Sequence, residues 1–270
     1  MSYLTLGYLT LDIAPAETVA AAVDAGFSSV GIRITGRRIA DPYTQVIGNP
    51  AMVREIRRRA EDGGVRLSNI SAYHMFPDTR LSDLVPIVDT TAELGIGIIV
   101  VNGHDPDEAR FTEKLAQYAQ AAARADIRIA LEFMAYSGVK TLAQARRIIE
   151  ASGQGNIGLL HDPLHLDRSG GTPADIKGDP TPVCFAQLCD ALSVRPVDED
   201  GLRNEARTRR LCPGEGDLPL AAYLAALPPG TEIECELPDP AHAALSAAER
   251  ARRALVVTRR FLDAQGWPAT

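Results

Sequence analysis

Strand-like and helix-like segments alternate along this chain, and that alternation is the strongest restriction on its fold. The clearest unit runs over residues 129–165. It opens with an apolar burst that ends in a carboxylate, Ile129-Ala130-Leu131-Glu132-Phe133. A helical pattern follows over residues 141–152, stopped by Gly153 and Gly155. A second apolar burst then runs through Leu159-Leu160-His161-Asp162 to His165. Two strands that each end in an acid, joined by one amphipathic helix, make a βαβ unit. Both acids would emerge at the same edge of a parallel sheet, where a metal ion or a general base would sit.

The same pattern extends in both directions. Strands are predicted over residues 4–11, 28–34, 65–73, 97–101, 128–132, 156–162, 182–190 and 231–237. Helices are predicted over 15–26, 50–61, 81–94, 107–124, 141–152, 218–227 and 241–264. Their boundaries carry ordinary punctuation, Pro15 at a start and Gly26, Gly63-Gly64 and Gly95 at stops. Residues 167–173 read as a turn-rich loop, with one short helical turn over 173–177. Residues 197–216 read as a charged loop that is long for a barrel. Eight strands alternating with helices predict an α/β fold, a single (β/α)8 TIM barrel over residues 1–270. The length is close to the roughly 250 residues such barrels take. A doubly wound open sheet is the alternative, but it would need a glycine-rich phosphate loop after an early strand, and none is present.

Composition narrows the function classes. Apolar residues make up 46% of the chain and charged residues 23%, values of a globular protein rather than a disordered one. The net charge of -7 argues against a nucleic-acid-binding surface, which needs clustered Lys and Arg. The run Arg54, Arg57, Arg58 and Arg59 reads as a solvated helix face. No secretory signal opens the sequence, and no apolar stretch approaches the roughly 18 residues of a membrane span. A cytoplasmic enzyme acting on a small molecule is therefore expected, with no membrane or nucleic-acid partner, and nothing excludes a homo-oligomer. The four cysteines show neither CxxC nor zinc-finger spacing, and Cys184, Cys189 and Cys235 fall in apolar strands as core residues.

The last four predicted strands end in Glu132, Asp162, the 187–190 stretch and the 234–236 stretch. Side chains alternate along a strand, so Glu234 and Glu236 point the same way, as do Gln187 and Cys189. Glu236 lies nearer the strand end and is the preferred inward carboxylate. Charged groups are seldom buried unless paired or ion-bound, and several inward acids would repel one another without a cation among them. Carboxylates plus an amide oxygen suit Mn²⁺ or Mg²⁺, with Zn²⁺ or Co²⁺ also compatible.

These segments carry a resemblance. Leu131-Glu132-Phe133, the run from Leu160 to Gly171, Ala186-Gln187-Leu188-Cys189-Asp190, Arg210-Leu211-Cys212-Pro213-Gly214-Glu215-Gly216 and Glu236-Leu237-Pro238 are similar to segments of the xylose isomerase-like TIM barrels. That group includes sugar-phosphate isomerase/epimerase-type proteins and endonuclease IV relatives, and the similarity spans roughly residues 28–260. The resemblance implies four metal ligands, Glu132, Asp162, Gln187 and Glu236, with glutamine standing where many members have histidine. It also implies that Glu132 and Glu236 form the acid/base pair and that His165, three residues after the aspartate, serves the substrate or the proton transfer. Further substrate-binding candidates are His74, Arg33 and Arg168 near strand ends, and Arg210 and Glu215 in the 197–216 loop as a lid. His104, in a polar turn, is expected to be solvated.

Two carboxylates beside a divalent ion can move a proton at a carbon next to a carbonyl, through an enediolate. An isomerase or epimerase of a sugar, polyol or related keto compound is therefore the leading expectation. The same intermediate can expel a β-hydroxyl, which would make the chain a dehydratase or lyase of a cyclic keto-polyol such as dehydroshikimate or an inosose. A DNA-repair endonuclease would want more histidines and a basic face. A non-catalytic partner subunit with this fold is the reading that the weaker ligand Gln187 favours.

Overall fold

Parallel strands cannot be joined by hairpins, so each must return through a crossover, and a helix both spans that return and covers the sheet face. A computed structural model, which describes residues 3–38, 41, 43–238 and 240–268, shows this arrangement repeated until the sheet closes. The strands are β1 (Leu4–Leu6), β2 (Ser29–Ile32), β3 (Arg66–Met75), β4 (Ile98–Gly103), β5 (Arg128–Glu132), β6 (Ile157–His161), β7 (Val183–Leu188) and β8 (Ile233–Cys235). Each pairs in parallel with the next, and β8 pairs with β1, so the sheet is a closed (β/α)8 barrel.

The helices are α1 (Pro15–Ala25), α2 (Pro50–Gly63), α3 (Leu81–Glu93), α4 (Glu108–Ala123), α5 (Leu142–Ser152), α6 (Pro163–Arg168), α7 (Glu199–Thr208), α8 (Leu220–Ala226) and α9 (Ala247–Ala264). Their apolar faces and the outward strand residues form the main core, including Val19, Ile56, Ile87, Leu115, Tyr118, Ile148 and Leu224. No helix among the described residues is long and apolar enough to cross a membrane. The α2 arginines pair along their own helix, Arg58 with Glu55 and Asp62, and Arg57 with Glu61, as a solvated face does.

The barrel interior is divided by chemistry. Ala72, Val100, Ala130, Leu160 and Phe185, one from each of β3 to β7, form a separate apolar cluster that fills one side. The other side is polar and organised by three alternate glutamates of β8 and its approach. Glu232 accepts from Thr5 and Ser68 and pairs with Arg66. Glu234 accepts from Asn69 and Gln187, and Glu236 pairs with Arg210. One period-two strand therefore delivers a carboxylate to each level of the interior, and the uppermost reaches the open end.

The helix expected over 241–264 begins only at Ala247, and three segments nearer the site also differ from the sequence expectation. The first strand stops at Leu6, because Gly7 lies so close to β8 that a Cβ there would meet the Cys235 carbonyl oxygen at 2.8 Å. A 3-10 turn over Tyr8–Thr10 follows, and Thr10 bonds both the Cys235 carbonyl and the Leu237 amide. The loop expected over residues 167–173 gives up its first two residues to helix α6, which was not expected. Asp162 caps it by accepting from the Leu164 and His165 amides, and Pro163 fits its first position. The 197–216 loop contains helix α7, capped by Asp198 and bearing a charged face that hides its periodicity.

Candidate active site

The ends of β5, β7 and β8, and the helix that follows β6, open at one pocket. Its lining includes Glu132 from β5, His165 from α6, Gln187 from β7 and Glu236 just past β8. In-register pairing places Asn102 of β4 beside Glu132, and the Asn102 Nδ2 donates to Glu132 Oε2 at 2.6 Å. Asp162 lies beneath, 1% exposed, with Oδ1 accepting from the Leu164 and His165 amides at 2.7 and 3.2 Å.

Ligand atoms of Glu132, Asp162 and His165 all lie within 4.8 Å of one another. His165 was expected to serve the substrate or the proton transfer, and its position on the first turn of α6 brings it among the carboxylates. Its Nε2 is 3.7 Å from Glu132 Oε1. Burial pushes the His165 ring down to about 4, so it is neutral at pH 7 and offers a lone pair.

Gln187 shows how the amide suits a cation. Its Nε2 donates to Glu234 Oε1 at 3.0 Å, while its Oε1 is buried with no hydrogen-bond partner among the described residues. An orphaned acceptor at the level of three carboxylates is a fitting position for a metal-bound oxygen donor. Glu234 itself is fully buried below the pocket, with Asn69 Nδ2 donating to its second oxygen at 2.7 Å. It is Glu236, not Glu234, that faces the pocket.

Arg210 holds the far wall. Its Nη1 is 2.5 Å from Asp162 Oδ2 and its Nη2 is 2.9 Å from Glu236 Oε2. Cys189 Sγ lies 3.1 Å from the same guanidinium, and its thiol is pushed up by burial. Asp190 explains why Arg210 arrives there. It accepts from the backbone amides of Gly214, Gly216 and Leu218 at 2.9 to 3.1 Å, pinning the glycine-rich turn after Arg210 to the end of β7. At Gly216 a Cβ would strike the Ala191 carbonyl oxygen at 2.4 Å, so only glycine fits.

The electrostatics follow from this crowding. Burial, then Glu236 and Asp162, push the Glu132 carboxyl up to about 8. Burial pushes Glu236 up to about 7, with Arg210 opposing. Burial also works to raise Asp162, but Arg210 and His165 prevail and hold it below the usual carboxylate range. Two acids poised near neutrality beside one that stays ionised suit reversible proton transfer.

The remaining candidates divide. His74 lines the pocket, with Nδ1 2.7 Å from His104 Nε2. His104 is therefore partly buried and paired rather than solvated, because the turn after β4 folds back over β3. Arg33 is 7% exposed, with Nε donating to the Thr35 carbonyl at 2.7 Å and its guanidinium over the rings of Tyr8 and Tyr43. Arg168, expected at the substrate, instead turns toward α7 and grips Glu205 at 2.7 and 2.8 Å, since α6 directs it away from the pocket. Glu215, also expected there, is exposed and lines a second cavity with Thr10, Leu237 and Arg253, on the other side of Arg210. Asn102, Tyr8, Arg37, Tyr136 and Arg207 line the pocket and were not singled out from the sequence. The one legible signal among them was Asn102, a polar side chain closing an otherwise apolar strand.

A family model described as the xylose isomerase-like TIM barrel matches residues 19–260. The chain is 31% identical over 121 residues to an inosose isomerase of Bacillus velezensis, a match covering 43% of this chain and 40% of that protein. Among solved structures, a xylose isomerase-like TIM barrel/4-hydroxyphenylpyruvate dioxygenase fusion protein aligns with a TM-score of 0.78 at 22% identity, over 99% of this chain and 45% of that one. The alignments thus span less than half the length of these two proteins. The IOLI protein, solved with a bound zinc atom, aligns with a TM-score of 0.80 at 17% identity, over 97% of this chain and 99% of that one.

Proposed function

The chain belongs to the xylose isomerase-like TIM barrel family, and from that premise we propose that it is a divalent-metal-dependent isomerase or epimerase of a sugar, polyol or related keto compound. The observation that carries the reading is the buried convergence of Glu132, Asp162 and His165 within 4.8 Å, at a pocket whose facing wall holds Glu236. Glu132, Asp162 and Glu236 would hold the ion, with His165 or the orphaned Gln187 Oε1 completing the set. The oxygen-rich donors favour Mn²⁺ or Mg²⁺, and the imidazole keeps Zn²⁺ and Co²⁺ compatible. When bound, the ion supplies positive charge to the carbonyl and hydroxyl oxygens of the substrate.

The chain's own residues do the rest. Glu132, oriented by Asn102, removes the proton from the carbon next to the carbonyl. Glu236, oriented by Arg210, returns it. In the metal-free chain burial raises both carboxyls above their usual range, and a bound cation favours their ionised forms, in which Glu132 accepts the proton. Asp162 stays ionised throughout. Tyr136, edge-on to the His165 ring at 5.7 Å, walls the site against water.

A second reading, a dehydratase of a cyclic keto-polyol, draws support from His165. Its neutral ring lies beside Glu132, and the proton that Glu132 takes in the same first step can pass to a departing β-hydroxyl.

One experiment tests both. Metal content is measured on the purified protein, which is then incubated in heavy water with keto-sugars and cyclic keto-polyols. Stoichiometric metal and deuterium next to the carbonyl support the isomerase, and loss of water with a new ultraviolet absorbance supports the dehydratase. Absence of stoichiometric metal together with absence of exchange would overturn the proposal.

A further inference from the structure

Among the described residues, the charges around the pocket do not balance. Glu132, Asp162 and Glu236 are compensated by a divalent ion together with Arg210, which already pairs with two of them. Three more arginines stand at the mouth. Arg37 and Arg207 line the pocket, and Arg33 lies behind Tyr8, itself part of the lining. Among the described residues, none of the three has a carboxylate oxygen within 4 Å. Arg37 Nε is buried with no hydrogen-bond partner there. Asp12 acts on Tyr8 and Tyr43 from the same side, weakly and without an ion pair to Arg33. Arg203 adds positive potential from α7, although it is paired with Asp200.

An arginine left half-buried without a partner is costly, and fixed cations that crowd one another are costlier still. Such an arrangement is retained where an anion arrives to complete it. Resting on the proposed reaction at this pocket, we infer that the substrate carries an anionic oxygen group, a carboxylate or a phosphate ester, which Arg37 and Arg207 receive with Arg33 behind them. Arg37 comes from the loop after β2 and Arg207 from α7, so an anion between them would also draw that helix over the open barrel end. The positive surroundings show in the groups already present. Burial first, then Arg207 and Arg203, lower the Arg37 pKa, and Arg37 and Arg203 help burial push His104 down to about 4. A neutral polyol would leave all this charge uncompensated. The inference therefore narrows the substrate to an acid or an ester of phosphoric acid, with its keto group at the carboxylates and its anion at the arginines.

The test is calorimetric titration of the metal-loaded full chain with three probes: shikimate for the carboxylate, fructose 6-phosphate for the phosphate and myo-inositol for the neutral ring. Wild type is compared with Arg37→Met and Arg207→Met. The expected result is that at least one anionic probe binds about ten-fold or more tightly than myo-inositol. Each variant should then weaken that probe by about ten-fold or more, the size of a lost charged hydrogen bond, and leave myo-inositol unchanged. Whichever anion dominates identifies the source. Should a variant fold poorly, the wild-type salt dependence serves instead, since anion binding should weaken as salt rises and myo-inositol binding should not. Equal affinity for neutral and anionic probes, or equal losses for both in the variants, overturns the inference. Either result leaves the metal content and proton exchange of the proposed reaction intact, so the two readings fail separately.

Discussion

Gln187 on β7 and Glu234 on β8 are in register across the barrel, and the Gln187 Nε2 donates to Glu234 Oε1 at 3.0 Å. Asn69 donates to the other Glu234 oxygen, and its own Oδ1 is taken by the Ser71 hydroxyl at 2.5 Å. The chain Ser71–Asn69–Glu234–Gln187 therefore fixes the orientation of the Gln187 amide and leaves its oxygen free.

Replacing the carboxylate with an amide should undo that orientation. In Glu234→Gln, one side-chain atom becomes a donor facing either Asn69 Nδ2 or Gln187 Nε2, and the Gln187 amide is the one free to turn. Metal affinity is expected to fall about 10- to 100-fold, the usual scale for a lost orienting partner. Titration with Mn²⁺ checks this, and an unchanged affinity would show that Gln187 does not contribute a ligand.

Glu132→Gln and Glu236→Gln remove the proposed proton carriers while keeping shape and size. Turnover should fall about 10²- to 10⁴-fold in each. Wild type should gain thermal stability on adding metal, because the ion binds the folded chain preferentially, and Glu132→Gln should gain much less. Melting curves with and without Mn²⁺ give the answer, and equal gains would remove Glu132 from the ligand set.

Arg168 and Glu205 join α6 to α7 through two hydrogen bonds, with the Arg168 side chain 2% exposed. Removing one partner strands the other, so Arg168→Met should cost about 3–5 kcal/mol. Pairing it with Glu205→Leu should recover most of that loss. Urea denaturation of the single and double variants measures the coupling, and additive losses would show that the pair acts independently.

His74 and His104 should make stability depend on pH. Burial, helped by Arg37 and Arg203, depresses His104 to about 4, and burial with His104 holds His74 well below its usual value. In the unfolded chain both titrate near 6.5. Between those values the unfolded chain holds more protons, so stability is fully present above about pH 6.5 and is lost as pH falls toward 4. Melting temperature from pH 7 to pH 5 should drop in wild type and drop less in His104→Gln. Parallel profiles would exclude the pair as the cause.

Much of this was legible in the chain itself. Apolar bursts mark β4, β5 and β6 most plainly, because a strand buried on both faces reads as an apolar run, whereas β3 and β8 carry polar residues that face the barrel interior. The acids Glu132, Asp162 and Glu236 stood out for the same reason: a carboxylate ending such a run is too costly to bury without a purpose. The alternation rule placed Glu234 and Glu236 on one side, as found. Helices α6 and α7 were harder to see. The first is six residues long and is capped by Asp162, the same acid that follows β6, and the second shows the interior only Ala206 and Glu205.

The sequence by itself determined the barrel, the order of its strands and the level at which each acid would emerge, since those depend on periodicities of two and 3.6 along a local stretch. Only the tertiary structure decided what each polar side chain touches. Arg168 and Arg210 are both arginines shortly after a strand, yet one braces a helix and the other clamps Asp162 and Glu236. What holds the Gln187 amide is Glu234, 47 positions later. Likewise, that Arg33, Arg37 and Arg207 have no carboxylate partner among the described residues shows only when the chain is folded, with Arg37 and Arg207 at one pocket. Such partnerships depend on distance in space, and a linear pattern carries no record of that.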